Sequence, residues 1–236
     1  MRRALAAVVL TTSLTACGGT STSHTITVFA AASLTDAFTA EAEAYTKQTG
    51  VHVRFSFAGS QDLVAQLNQG APADAIATAD MATLDKVVAK HEATALFARN
   101  RLVIVTAPGN PKHIGDTGDL ARHDVVVVLA APTVPAGKYA AAALQAAHVT
   151  VRPRSLEDNV RGVLTKVELG EADAGIVYAS DAKSAGAKVG TVALPTSPVA
   201  TYPAAALDAA GRSFVDFLTS TEGQAILARF GFLPPP

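Results

Sequence analysis

Four short segments each close an apolar stretch and open a turn with small, hydroxylic or backbone-donating residues. They are Phe29-Ala-Ala-Ala-Ser33-Leu-Thr-Asp, Phe57-Ala-Gly-Ser60-Gln-Asp, Val134-Pro-Ala136-Gly137-Lys-Tyr and Glu157-Asp-Asn-Val160-Arg-Gly. Ser33 and Ser60 stand where a strand pattern gives way to a helical one. Taken singly, each reads as an N-cap, its hydroxyl accepting from a backbone N–H. The same turn on two successive units adds a second reading, because free N–H groups and the positive end of a helix dipole attract an anion. The Pro135-Ala136-Gly137 turn brings the backbone close enough for the Ala136 N–H to donate, and it is equally a plain helix start. Val160 opens a fourth helix behind the capping candidates Ser155 and Asp158, and that segment also reads as an ordinary capped helix. Tyr178 ends the stretch Ala174-Gly-Ile-Val-Tyr178, where its phenol either donates to an anion or packs in the core. Together these groups would form a pocket of neutral donors suited to a small oxyanion.

The elements that must position them read as repeated β-then-α units. Strand patterns cover Thr25 to Phe29, Val51 to Phe57, Asp74 to Thr78, Arg101 to Thr106, Val125 to Leu129, Gly175 to Tyr178 and Lys188 to Leu194. Helical stripes run through Leu34, Phe38, Ala42 and Tyr45, through Leu63, Val64 and Leu67, and through Val160, Val163, Leu164 and Val167. Strands as apolar as Val125-Val-Val-Val-Leu129 imply burial on both faces and a parallel sheet. Alternation of this kind predicts an α/β fold. Breaks at Ala107-Pro-Gly-Asn-Pro111 and Leu194-Pro-Thr-Ser-Pro198 bracket a central block. Two terminal helices follow, around Phe214 to Leu218 and Ala225 to Phe230.

Composition describes a globular body behind a leader. The 236-residue chain is 49% hydrophobic and 17% charged, with no Trp and one Cys, so its core cannot rest on disulfides. Its net charge of −1 becomes two units more negative if Arg2 and Arg3 are removed with the leader. No clustered Lys and Arg point to nucleic acid. Arg2 and Arg3, the apolar run from Ala4 to about Leu10 and Leu14-Thr-Ala-Cys17 have the layout of a signal peptide. The apolar run is too short to span a bilayer. Leu14-Thr-Ala-Cys17 is similar to the lipobox of bacterial lipoproteins. We therefore expect a signal peptide over residues 1–16, lipid on Cys17, a flexible Gly/Ser/Thr tether over 17–23 and attachment to the outer face of the cell membrane.

In order and joint presence, the four turns and Gly175-Ile-Val-Tyr178 resemble the periplasmic molybdate-binding proteins of bacterial ABC importers along nearly the whole mature chain. The run from Asn159 to Asp181 is the most family-like, and Gly59, in the second turn, departs from the family at a place where serine is common. The resemblance implies a two-lobed type II periplasmic-binding-protein fold, mainly parallel sheets flanked by helices. Residues 24–107 plus 199–236 would form lobe I and residues 108–198 lobe II. It implies ligand contacts from the Ser33 and Ser60 side chains, the Ala136 and Val160 N–H groups and the Tyr178 hydroxyl. Arg161 is not assigned to ligand. It further implies a monomer that takes molybdate or tungstate, needs no cofactor, and delivers its cargo to an ABC permease. A sulfate-type oxyanion-binding protein is the alternative.

Enzymatic readings find little support. The chain lacks G-x-S-x-G, H-E-x-x-H and G-x-x-x-x-G-K-[ST], and its six histidines show no paired metal spacing. A hydrolase of oxyanion esters is the other-class alternative, and a DNA-binding regulator is incompatible with an export signal.

Overall fold

A computed structural model describes residues 24–89, 91 and 94–236. Cys17, the expected leader and the whole of the expected tether lie outside the described residues. In chain order the elements are β1 (Thr25–Ala31), a 3-10 turn (Ala32–Leu34), α1 (Thr35–Thr49), β2 (His52–Ala58), α2 (Ser60–Asn68), β3 (Ala75–Ala77), α3 (Met81–Leu84) and β4 (Ala95–Thr106). There follow β5 (Val127–Ala130), α4 (Pro135–Ala146), β6 (Ser155–Glu157), α5 (Val160–Glu168), β7 (Ala174–Tyr178), α6 (Ala179–Ala185), β8 (Gly190–Ala193), β9 (Val199–Ala206), α7 (Ala209–Thr219) and α8 (Thr221–Arg229).

The strands are ordered β2-β1-β3-β9-β4-β7-β5-β6, with β8 beside β4. Pairing is parallel at both flanks, between β1 and β2, β1 and β3, β5 and β6, and β5 and β7. It is antiparallel in the middle, where β9 joins β3 to β4, and β4 pairs with β7 and β8. The parallel flanks are the β-α units read from sequence, and the fully buried β5 and β7 have the apolar faces such strands need. β4 serves both halves: its residues 95–101 pair with β9 and its residues 102–106 with β7. The partner change at Leu102 thus falls inside a strand, whereas the boundary read from sequence lies at residues 107–108.

Two strands escape the sequence reading. β6 is only three residues long. β9 contains Pro203, which cannot donate to a ladder and ordinarily marks an edge. β9 is nevertheless central, and the register slips between Leu96 and Ala98 of β4 opposite Pro203 and Tyr202, so the ladder accommodates the missing donor. Under the β1–β3 half, Phe38 from α1 centres an aromatic cluster, its ring 5.7 Å from Phe55, 5.6 Å from Phe97 and 5.7 Å from Phe214. Burying one such side chain contributes about 1.5–3 kcal/mol.

Candidate functional site

The carboxyl ends of the parallel strands in both halves of the sheet converge on one cavity, the place where open α/β sheets bind ligands. Ala31, Ala32 and Ser33 follow β1 into it, Ala58, Gly59 and Ser60 follow β2, and Ala79 follows β3. From the other half come Val134, Pro135 and Ala136 after β5, Asn159 and Val160 after β6, and Tyr178 at the end of β7. All five residues singled out for ligand contact therefore line the same space. None of the residues lining it is charged.

Neither serine caps a helix, contrary to the N-cap reading of the sequence. Ser33 lies inside the 3-10 turn ahead of α1, and Ser60 is the first residue of α2, behind Gly59; neither helix start has a side-chain cap. The Ser60 Oγ instead accepts from the Ala79 N–H at 3.1 Å, which leaves its own proton unclaimed. Ser33 Oγ stands 3.0 Å from the phenol oxygen of Tyr202 on β9. Both hydroxyls are thus held by neighbours at the cavity wall rather than by helix ends.

The backbone donors follow from helix geometry. The first N–H groups of a helix have no intrahelical acceptor. α4 starts at Pro135 with no side-chain cap, so the Ala136 N–H is left to the cavity. A side chain at Gly137 would place Cβ 2.1 Å from the Ala131 carbonyl oxygen, so glycine is what lets this turn press against the end of β5. At α5 the cap is Asn159, whose side chain accepts from Gly162 N–H at 3.0 Å, rather than Ser155 or Asp158. Val160 N–H remains. Tyr178 completes the set: its ring is fully buried and its hydroxyl, beside Tyr202, makes no well-formed hydrogen bond. Burial raises the phenols of Tyr178 and Tyr202 well above their ordinary value, so both keep their protons.

Charge surrounds this neutral pocket without lining it. Lys138 Nζ from α4 reaches Asp80 Oδ2 and Thr83 Oγ1, each at 3.1 Å, beside α3. Gln61 Nε2 donates to the Asp158 carbonyl at 2.9 Å. Arg161 pairs with Asp36 of α1 and, at 2.8 Å through Nε, with the fully buried Asp181 of α6. Burial pushes the Asp181 carboxyl up to about 7, against the pull of Arg161. Arg161 is therefore committed to carboxylates, as its exclusion from the ligand set requires. All three bridges cross from the β1–β3 half to the β5–β7 half. Gly59 sits beneath one of them, where a Cβ would meet the Asp158 oxygen at 2.4 Å.

Sequence reasoning passed over Ala79 in the cavity wall and Tyr202 behind Ser33. Tyr202 stands beside the proline that hid its strand, and the Ala79 contribution is a backbone N–H that no side-chain type announces.

A pocket of neutral donors between two half-sheets defines a binding protein for a small anionic solute. Residues 26–233 match the model of the bacterial extracellular solute-binding proteins, and the chain belongs to that family. It is 42% identical over 231 residues to the molybdate-binding protein ModA of Mycobacterium tuberculosis, covering 92% of this chain and 88% of that one. It is 37% identical to ModA of Escherichia coli over 88% of each chain. Among solved structures, the periplasmic molybdate-binding protein of Azotobacter vinelandii superposes with a TM-score of 0.78 at 20% identity, over 89% of this chain and 100% of that one. The sulfate-binding protein SubI of M. tuberculosis gives 0.74 at 22% identity, over 89% and 87%. Likeness at that identity carries the fold alone, and the fold is the α/β periplasmic-binding-protein class expected from the sequence.

Proposed function

We propose that this chain captures molybdate, and tungstate with it, outside the plasma membrane and delivers it to an ABC import permease. The observation that carries this reading is the convergence of Ser33, Ser60, Ala136, Val160 and Tyr178 on one cavity with no charged lining. Relatives at 42% and 37% identity bear the name molybdate-binding protein, which supports the same reading.

The chemistry is one of donors only. A dianion that carries no proton has acceptors on every oxygen, and each hydroxyl and N–H of the cavity satisfies one of them. A protonated phosphate brings a donor of its own. With no acceptor opposite, that proton stays unpaired, at a cost of about 1–3 kcal/mol. The charged bridges then hold the two half-sheets together around the cargo, as hinge closure requires. The chain acts by binding, without a cofactor and without turnover, as a monomer tethered through lipid on Cys17.

Titration calorimetry with molybdate, tungstate, sulfate and phosphate tests the reading. Molybdate and tungstate should bind far more tightly than the other two. Equal affinity for sulfate would make the protein a general sulfate-type binder, and hydrolysis of an oxyanion ester dependent on Ser33 or Ser60 would make it an enzyme. For the anchor, Cys17→Ala should shift the protein out of the membrane fraction and abolish fatty-acid labelling, and unchanged labelling would exclude Cys17.

A further inference from the structure

Tyr202 stands behind the site, against Ser33 and the Tyr178 ring. It is fully buried on β9, the strand between the two halves of the sheet, and its ring packs edge-on against Tyr178 at 5.6 Å and Phe232 at 5.4 Å. The 3.0 Å contact between its Oη and Ser33 Oγ has one proton to place, and either oxygen could supply it. The direction matters for the cavity. A Ser33 that donates to Tyr202 turns lone pairs toward an incoming anion, whereas a Ser33 that accepts from Tyr202 keeps its proton for the ligand.

Acidity and the neighbouring acceptors point one way. A phenol is a stronger acid than an alkyl hydroxyl and therefore the better donor of the pair. The neighbouring Asn100 has its Oδ1 engaged by the Arg101 N–H at 2.9 Å and its Nδ2 donating to Ser180 Oγ at 2.8 Å. With the Asn100 oxygen already engaged, Ser33 Oγ at 3.0 Å is the acceptor within reach of the Tyr202 proton. We propose that Tyr202 is a positioning and selectivity residue: by donating to Ser33 Oγ it commits the Ser33 proton to the bound anion and denies the cavity an acceptor for a protonated one. The inference rests on reading the cavity as a molybdate site.

Its test is a double-mutant cycle read by calorimetry with molybdate and with phosphate, using wild type, Tyr202→Phe, Ser33→Ala and the double variant. Tyr202→Phe keeps the ring and its packing. It should weaken molybdate about tenfold and narrow the molybdate-over-phosphate ratio by a similar factor, because the freed Ser33 can now accept. In the Ser33→Ala background the same change should alter the molybdate Kd less than about twofold. Equal losses in both backgrounds, or a fall in both affinities with an unchanged ratio, would mark Tyr202 as structural and overturn the proposal. Circular dichroism of the four proteins separates misfolding from altered binding. Should Tyr202→Phe not fold, Ser33→Ala still decides: it must weaken molybdate about tenfold, and molybdate affinity like that of wild type would refute the proton assignment. A wild type that ignores molybdate would overturn the functional reading itself, whereas wild-type affinity in Tyr202→Phe would overturn this inference alone.

Discussion

The Tyr178 hydroxyl and the Glu41 carboxyl are both buried without a well-formed hydrogen bond, yet their surroundings are opposite. Tyr178 ends at a cavity where hydroxyls and helix N-termini from six chain segments converge. Glu41 lies on the inner face of α1, one turn from Phe38 and from Tyr45, where Arg229 of α8 attracts it and Glu222 repels it. Burial pushes its carboxyl up to about 9, so it meets its deficit by keeping a proton. An unpartnered donor among converging donors is prepared for an acceptor from outside, whereas an unpartnered acid among aromatic rings simply costs stability.

This contrast predicts effects that do not mix. Glu41→Gln should give the largest change, and in stability alone. A carboxyl whose folded value exceeds its ordinary 4.5 holds its proton after the unfolded chain has lost it, so wild-type stability should fall as pH rises from about 4.5 toward 9. Asp181, raised from 3.8 to about 7, adds to the fall in the lower part of that window. Denaturant unfolding of Glu41→Gln at pH 8 should show a gain of roughly 2–4 kcal/mol and a flatter pH profile, with molybdate affinity unchanged. A loss of affinity would tie α1 to the site and erase the distinction.

Tyr178→Phe, Ser33→Ala and Ser60→Ala should do the reverse. Each should weaken molybdate by roughly 1.5–3 kcal/mol, about tenfold to a hundredfold in Kd, because each removes a donor to a dianion. Tyr178→Phe should leave the melting temperature of the ligand-free protein nearly unchanged, whereas Ser33→Ala and Ser60→Ala should lower it modestly, because each strips a buried partner, the Tyr202 hydroxyl or the Ala79 N–H, of its hydrogen bond. Calorimetry beside thermal melts separates the two quantities. Gly59→Ala comes next: its methyl meets the Asp158 oxygen, so closure suffers and affinity should drop by about tenfold with the free protein as stable as before. Small-angle scattering should find the ligand-bound variant less compact than bound wild type. Lys138→Met is the smallest, about 0.5–1 kcal/mol of binding at low salt and less at high salt, because the lysine end of its pair with the buried Asp80 is part-exposed.

The β-α units at both flanks were legible because apolar runs alternate with helical stripes there, and the turns that end them carry small and hydroxylic residues in a fixed order. β9 and the three-residue β6 were not. β9 is broken in sequence by Pro203, and only the slipped register opposite Leu96 and Ala98 makes it a strand. The helix starts were legible as places but not as mechanisms, since a serine ahead of a helical stripe reads as a cap whether its oxygen turns to the helix or, as Ser60 does, to the Ala79 N–H nineteen residues on. Long-range partners such as Tyr202 for Ser33, 169 residues apart, leave no local pattern at all.

β9 also sets the order in which this chain can fold. β3 has β1 on one side and β9 on the other, and β4 reaches the first half-sheet only through β9. Until residues 199–206 exist, a chain emerging from the ribosome carries β3 with a bare edge and the Ala95–Arg101 stretch without a strand partner. The first β-α units, although made earliest, are finished last. Closing pairs so distant in sequence is slow. A nascent protein of this design stays open until its end is made, which is the state in which an unfolded chain can still be threaded across a membrane.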